Sequence, residues 1–176
     1  MKLKKLFLEI FETIALIVLI VLPIRHFIFE PFIIKGESML PNFHSGDYLI
    51  SEKFSLFFKN PERFDVIIFK SPVQDDYYIK RIIGLPGETV EIKEGKIIIY
   101  NSQNPNGFVL QESYQTIPLS YNENFKITLG KDEYFVLGDN RQASFDSRKW
   151  GALKRENIKG KVLIRIWPLN FNTYAK

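Results

Sequence analysis

The sequence contains no cysteine and only two histidines, His26 and His44, in 176 residues. The first absence excludes disulfides, thiol nucleophiles, iron–sulfur clusters and cysteine-rich zinc sites together. The second rules out a three-histidine metal site and leaves a histidine-based triad few candidates. His26 sits at the end of an apolar run and His44 beside a turn, and neither is assigned a role. No metal and no cofactor is expected. Charge is short too: 24 Lys and Arg against 20 Asp and Glu leave +4, despite a pI of 9.1. No basic stripe interleaved with aromatics is present, so nucleic-acid binding is not indicated. At 45% hydrophobic and 25% charged residues the chain is globular rather than disordered.

What is there begins with a biased N-terminus. Lys2, Lys4 and Lys5 precede a mostly apolar stretch from Leu6 to Phe29, whose centre from Ile14 to Ile24 carries no charge. A spanning helix needs about 20 apolar residues. Residues Ile10 to Phe29 supply them if Arg25 and His26 snorkel to the headgroups. No small-residue cleavage site follows, which argues against a removed leader. A buried core helix is the plainer possibility. The lysines on one side favour an anchor with the N-terminus inside and everything after residue 30 outside. The expected division is an anchor over 1–30 and a second unit over 31–176.

After Pro31 the pattern is short β-type runs: Phe32–Lys35, Asp47–Glu52, Asp65–Phe69, Tyr77–Ile83, Thr89–Ile92, Lys96–Tyr100, Lys126–Thr128, Glu133–Leu137 and Lys161–Trp167. Glu94-Gly95 reads as a tight hairpin turn. No ordinary helix is expected after residue 31, and 101–125 reads as a long surface excursion. Together these predict a mainly β fold, a barrel or folded sheet, behind one N-terminal transmembrane helix.

Three places hold chemistry. Ser38 lies in Gly36-Glu37-Ser38-Met39-Leu40-Pro41, at a strand end where a turn can expose its hydroxyl; alone, a turn serine means little. Lys80 shares a strand face with Tyr78 and Ile82 by alternation. On a half-exposed strand it is a snorkelling lysine. On a buried face its pKa falls and it becomes a competent general base. The third place is the polar loop Gly138-Asp139-Asn140-Arg141-Gln142-Ala143-Ser144-Phe145-Asp146-Ser147-Arg148, dense enough for a hydrogen-bonded network behind a site.

In this order, together with Gly46-Asp47 and Lys80-Arg81 running into Gly84-Leu85-Pro86-Gly87, these motifs resemble the bacterial type I signal peptidases across the whole chain. The chain is similar to the compact Gram-positive-type members. The resemblance implies a membrane-bound serine endopeptidase of signal-peptidase-like fold. It would cleave signal peptides from secreted preproteins at the plasma membrane, as a single-pass protein with its catalytic domain extracytoplasmic. It implies Ser38 as nucleophile, Lys80 as general base, and Ser144 as the hydroxyl that orients the lysine. Asp146 with Arg148, and Arg81 with Asp139, would form ion pairs behind the site. Phe32, Ile34, Met39, Tyr78 and Ile79 would line shallow pockets for small substrate side chains. The expected partners are signal peptides with small residues before the cut, and the bilayer; a monomer is expected. Phe54, Leu56, Phe57 and Phe58 are either a lipid-facing patch or core.

Two departures from the family pattern stand out. Asn42-Phe43 replaces the usual Thr-Leu, which bears on the first pocket, and Gly36 replaces a serine that in some members helps hold the oxyanion. A self-cleaving repressor protease would need a soluble DNA-binding N-terminus, which residues 1–30 do not offer. A pilus-maturation peptidase would share the same mechanism and is harder to separate. An inactive assembly factor would have lost the dyad, and the presence of both Ser38 and Lys80 argues against it.

Overall fold

The computed structural model describes residues 2–114 and 116–168; the side chains at 2, 3, 8 and 22–27 fall outside that description. Helix α1 runs over Lys2–Phe27, about 39 Å at 1.5 Å per residue. Among the described residues no helix is long and apolar enough to cross a membrane. Lys4, Lys5, Glu9 and Glu12 break up the first half of α1. The described side chains from Lys4 to Val21, apolar and charged alike, are exposed. The expected headgroup contacts of Arg25 and His26 lie outside the described residues.

Among the described residues eleven strands follow: β1 (Phe29–Ile33), β2 (Tyr48–Glu52), β3 (Val66–Lys70), β4 (Tyr77–Gly84), β5 (Thr89–Lys93), β6 (Lys96–Tyr100), β7 (Phe108–Val109), β8 (Phe125–Thr128), β9 (Glu133–Leu137), β10 (Leu153–Lys154) and β11 (Ile158–Trp167). A seven-stranded sheet has the order β1-β2-β11-β3-β4-β9-β10, and a four-stranded sheet the order β7-β6-β5-β8. All strand pairs are antiparallel. The fold is mainly β, as expected, but the barrel does not close. The larger sheet ends at β1 and at the two-residue β10, which has no ladder to offer a further strand.

Local chemistry explains the elements. Glu94 (φ 51°) and Gly95 (φ 71°) both take the left-handed region, the turn that matches strand twist in a two-residue hairpin joining β5 to β6. Strand β3 is apolar on both faces because both are covered. Val66 and Ile68 pack with Ile34, Met39, Phe43, Leu49 and Val162, whereas Ile67 and Phe69 pack with Ile82, Tyr134, Val136 and Leu153. A third cluster around Val90, Ile99, Leu129 and Phe135 includes residues of both sheets.

Two expectations are corrected. Strand β1 starts at Phe29, not at Phe32, and runs through Pro31. Proline is tolerated there because β1 is an edge strand and needs no N–H on its open side. Residues 101–125 are not merely a surface excursion. Val109 and Phe108 pair with Ile98 and Ile99, Leu110 is in the core, and Ile117 bridges to Asn140. After residue 31 the only α-helix among the described residues is the one-turn α2 (Ser147–Trp150).

Candidate active site

Strand β1 delivers the chain into a turn that carries Ser38, and β4 delivers Lys80 beside it. Lys80 Nζ donates to Ser38 Oγ at 2.8 Å and to the Ile79 carbonyl at 2.9 Å, and lies 5.4 Å from the Tyr78 ring. Lys80 pairs across the sheet with Ile67, so its stem runs along a core face, and the residue is 4% exposed. Of the two environments possible for this lysine, the buried face is the one realised. Burial lowers the Lys80 pKa from 10.5 to about 8, and the more distant carboxylates of Asp146 and Asp139 oppose it only in part.

Arg81 has a different environment. Its guanidinium forms two bonds to Asp139, at 2.9 and 2.7 Å, a third to the Phe64 carbonyl at 3.0 Å, and lies 3.9 Å from the Tyr114 ring centre. Arg148 grips Asp146 through two 2.8 Å bonds and reaches Glu123 at 3.0 Å. Asp146 also accepts from the Gly138 N–H at 3.1 Å and caps α2. Both expected ion pairs are present. Gly138 packs so closely on the Ser38 carbonyl and Ser144 Oγ that a Cβ there would overlap both.

Ser144 is brought to the site, but its Oγ is buried without a hydrogen-bond partner among the described residues; the expected bond to Lys80 is not formed. A cleft of about 460 Å³ runs past the pair. Phe32, Ile34, Tyr78 and Ile79 line it, as expected, and Phe145 and Ala143 add to its wall. Met39 is not among its lining residues; at 1% exposure it fills the core beneath. The departures at 42 and 43 leave the cleft alone. Asn42 donates to Asp139 at 2.7 Å, and Phe43 is fully buried. Asp47 makes a buried pair with Arg165 at 2.8 Å and accepts from the His44 N–H, which closes the turn that follows Ser38.

Sequence reasoning missed Glu112 and Tyr114. Arg141 donates to Glu112 at 3.1 Å and to the Tyr114 hydroxyl at 3.2 Å, and burial pushes the Tyr114 hydroxyl pKa up. A signal existed: three motif arginines, Arg81, Arg141 and Arg148, face only two motif aspartates, so a third carboxylate was owed. Of the apolar 54–58 segment, Phe54, Phe57 and Phe58 are exposed and Leu56 packs on the core. No group of residues suited to a metal occurs among the described residues.

Comparison with known proteins adds to this geometry. The family model described as signal peptidase, peptidase S26, matches residues 7–167. Signal peptidase I of Leptolyngbya laminosa is 40% identical over 171 residues, covering 93% of this chain and 81% of its own. Signal peptidase I P of Bacillus subtilis subsp. natto is 36% identical over 189 residues, with 99% and 96% covered. The crystal structure of a signal peptidase I from Enterococcus faecalis V583 is 39% identical, covers 58% of this chain and 97% of its own, and superposes with a TM-score of 0.49.

Proposed function

The chain belongs to the signal peptidase family, peptidase S26, among its bacterial type I enzymes, and on that footing we propose that it cuts signal peptides by a Ser38/Lys80 dyad through an acyl-enzyme. The observation that carries this reading is the 2.8 Å contact between Ser38 Oγ and a buried lysine whose pKa falls to about 8. A lysine in that range is neutral often enough to act as a base.

In the proposed reaction neutral Lys80 takes the Ser38 proton as the Ser38 oxygen attacks the scissile carbonyl. Gly36 offers no side-chain donor, so the Ser38 N–H stabilises the oxyanion. Lys80 then gives its proton to the leaving amine, takes one from the water that attacks the acyl carbon, and returns it to Ser38. Ser144, Asp146, Arg148, Arg81 and Asp139 support the pair. The substrate lies extended along the open edge of β1, with small side chains entering the cleft lined by Phe32, Ile34, Tyr78 and Ile79.

We further propose residues 1–30 as a single-pass anchor with the N-terminus inside, and 31–176 as an extracytoplasmic catalytic unit at the plasma membrane. The support is that α1 exposes its apolar side chains, which a helix in water would bury, and that Lys4 and Lys5 lie on its near side. Exposed Phe54, Phe57 and Phe58 would rest on the lipid surface.

The test is cleavage of a signal-bearing precursor in proteoliposomes by wild type, Ser38→Ala and Lys80→Met. Both variants are expected to be folded and inactive; full cleavage by either overturns its assignment. Ser38→Cys should retain part of the activity.

A further inference from the structure

We propose that Asn140 is a positioning residue for the oxyanion donor: its side-chain amide grips the carbonyl of the one peptide whose N–H faces the reacting oxygen. This rests on the reading of Ser38 as nucleophile. Asn140 Nδ2 donates to the Glu37 carbonyl at 3.2 Å, and the Asn140 backbone N–H donates to the Ser38 carbonyl at 3.0 Å. One residue thus reaches both carbonyls flanking the Ser38 Cα, sharing the Glu37 oxygen with the Leu40 N–H at 3.2 Å. The amide orientation follows from its partners, because Oδ1 accepts from the Ala143 N–H at 3.2 Å while Nδ2 meets a carbonyl. Asn140 is 6% exposed, so neither bond competes freely with water.

The geometry of the peptide unit gives the grip its meaning. The Glu37–Ser38 bond is trans, unlike Leu40–Pro41. In a trans peptide the C=O and N–H point in opposite directions from one rigid plane. Fixing the Glu37 oxygen therefore aims the Ser38 N–H the other way. That N–H has no acceptor among the described residues, and Gly36, Glu37 and Ser38 all line the cleft. A carbonyl that accepts a hydrogen bond also polarises its own N–H, which strengthens it as a donor. Residue 36 is glycine and adds no hydroxyl, so the aim of this one N–H matters more here.

Asn140→Asp separates this role from the cap. It keeps the shape and the acceptor for Ala143 but puts an acceptor where Glu37 needs a donor. Kinetics belong on the alkaline plateau, above the Lys80 midpoint near 8, so that a new carboxylate does not act through the base. The expected result is a fall in kcat of about tenfold to a hundredfold, since removing an oxyanion donor outright is typically worth about a hundredfold or more, with KM nearly unchanged. A peptide aldehyde supplies the second readout. Ser38 Oγ bonds its carbonyl carbon, the carbonyl electron pair becomes the oxyanion, and the serine proton passes to Lys80. Its affinity should fall by the same factor as kcat, while the cleaved product peptide binds as to wild type. Turnover within about twofold of wild type, or equal weakening of aldehyde and product, overturns the proposal. If Asn140→Asp fails to fold by thermal melt, Asn140→Ala is read the same way. Ser38→Ala, run alongside, separates the two levels. Activity there sinks the dyad itself, whereas an inert Ser38→Ala beside an active Asn140→Asp sinks only the positioning role.

Discussion

Lys80 and Arg81 are neighbours on β4, both cationic and both buried, and the two faces of the strand treat them oppositely. Arg81 is 1% exposed and meets a bidentate carboxylate, a carbonyl and an aromatic face. Lys80 is 4% exposed and meets a hydroxyl and a carbonyl, with no carboxylate in contact among the described residues. The same desolvation therefore has different outcomes. A guanidinium cannot shed its proton in a protein, so it must be paired and becomes structural. An ammonium can, so leaving it unpaired lets burial favour the neutral amine. Adjacent residues thus divide the labour: one fastens β4 to the Asp139 loop, and the other is left able to lose its proton, as the proposed base requires.

Removing Lys80, the proposed base, should have the largest effect on rate and the opposite effect on stability. Lys80→Met is expected to lose at least about a thousandfold in activity. Below pH 8 the buried ammonium burdens only the folded state of the wild type, because its pKa is 10.5 when exposed and about 8 when folded. The variant should then be more stable by up to about 3 kcal/mol. The advantage should shrink from pH 8 towards 10.5, where the wild type sheds the proton in both states; melts across that window check it. A variant less stable at neutral pH would break the contrast.

Removing the partner of the structural cation comes next. Asp139→Ala strands Arg81 in the interior and should cost about 3–5 kcal/mol in a urea titration. A smaller effect follows from the field around Lys80. In the wild type, kcat/KM should rise with pH through a midpoint near 8 as the base becomes neutral. Asp146 holds that midpoint up, so Asp146→Asn should move it to lower pH while loosening Arg148. At the bottom of the scale, Lys70→Ala removes the exposed pair with Asp75 and should leave the melting temperature unchanged, since water screens such pairs.

Legibility in the sequence followed the range of the interactions. The Glu94-Gly95 turn and the alternation of Tyr78, Lys80 and Ile82 are local, and were readable. The pairs Arg81–Asp139 and Asp146–Arg148 were reachable only through resemblance, since nothing local tells an arginine which aspartate it meets. The arginine excess implies a third carboxylate, but not that it is Glu112 with Tyr114 beside it, because both come from a stretch whose polarity resembles a loop until Arg141 is buried against it. Met39 lies in the core rather than on the cleft, and an apolar side chain next to Ser38 fits a pocket wall and a core equally well by pattern. Ser144 reaches the site, but a hydroxyl rotor is decided by contacts of tenths of an ångström, which no spacing encodes.

Only Ile28 lies between the end of α1 and the start of β1, and β1 leads straight into the turn of Ser38. A chain that passes from helix to strand with one residue between them has no slack. In an anchored enzyme the cleft would then hang at a set height above the end of α1, like the blade of a fixed guillotine. Where a substrate is cut would be read off as a distance from the surface that holds the helix, before any side chain is inspected.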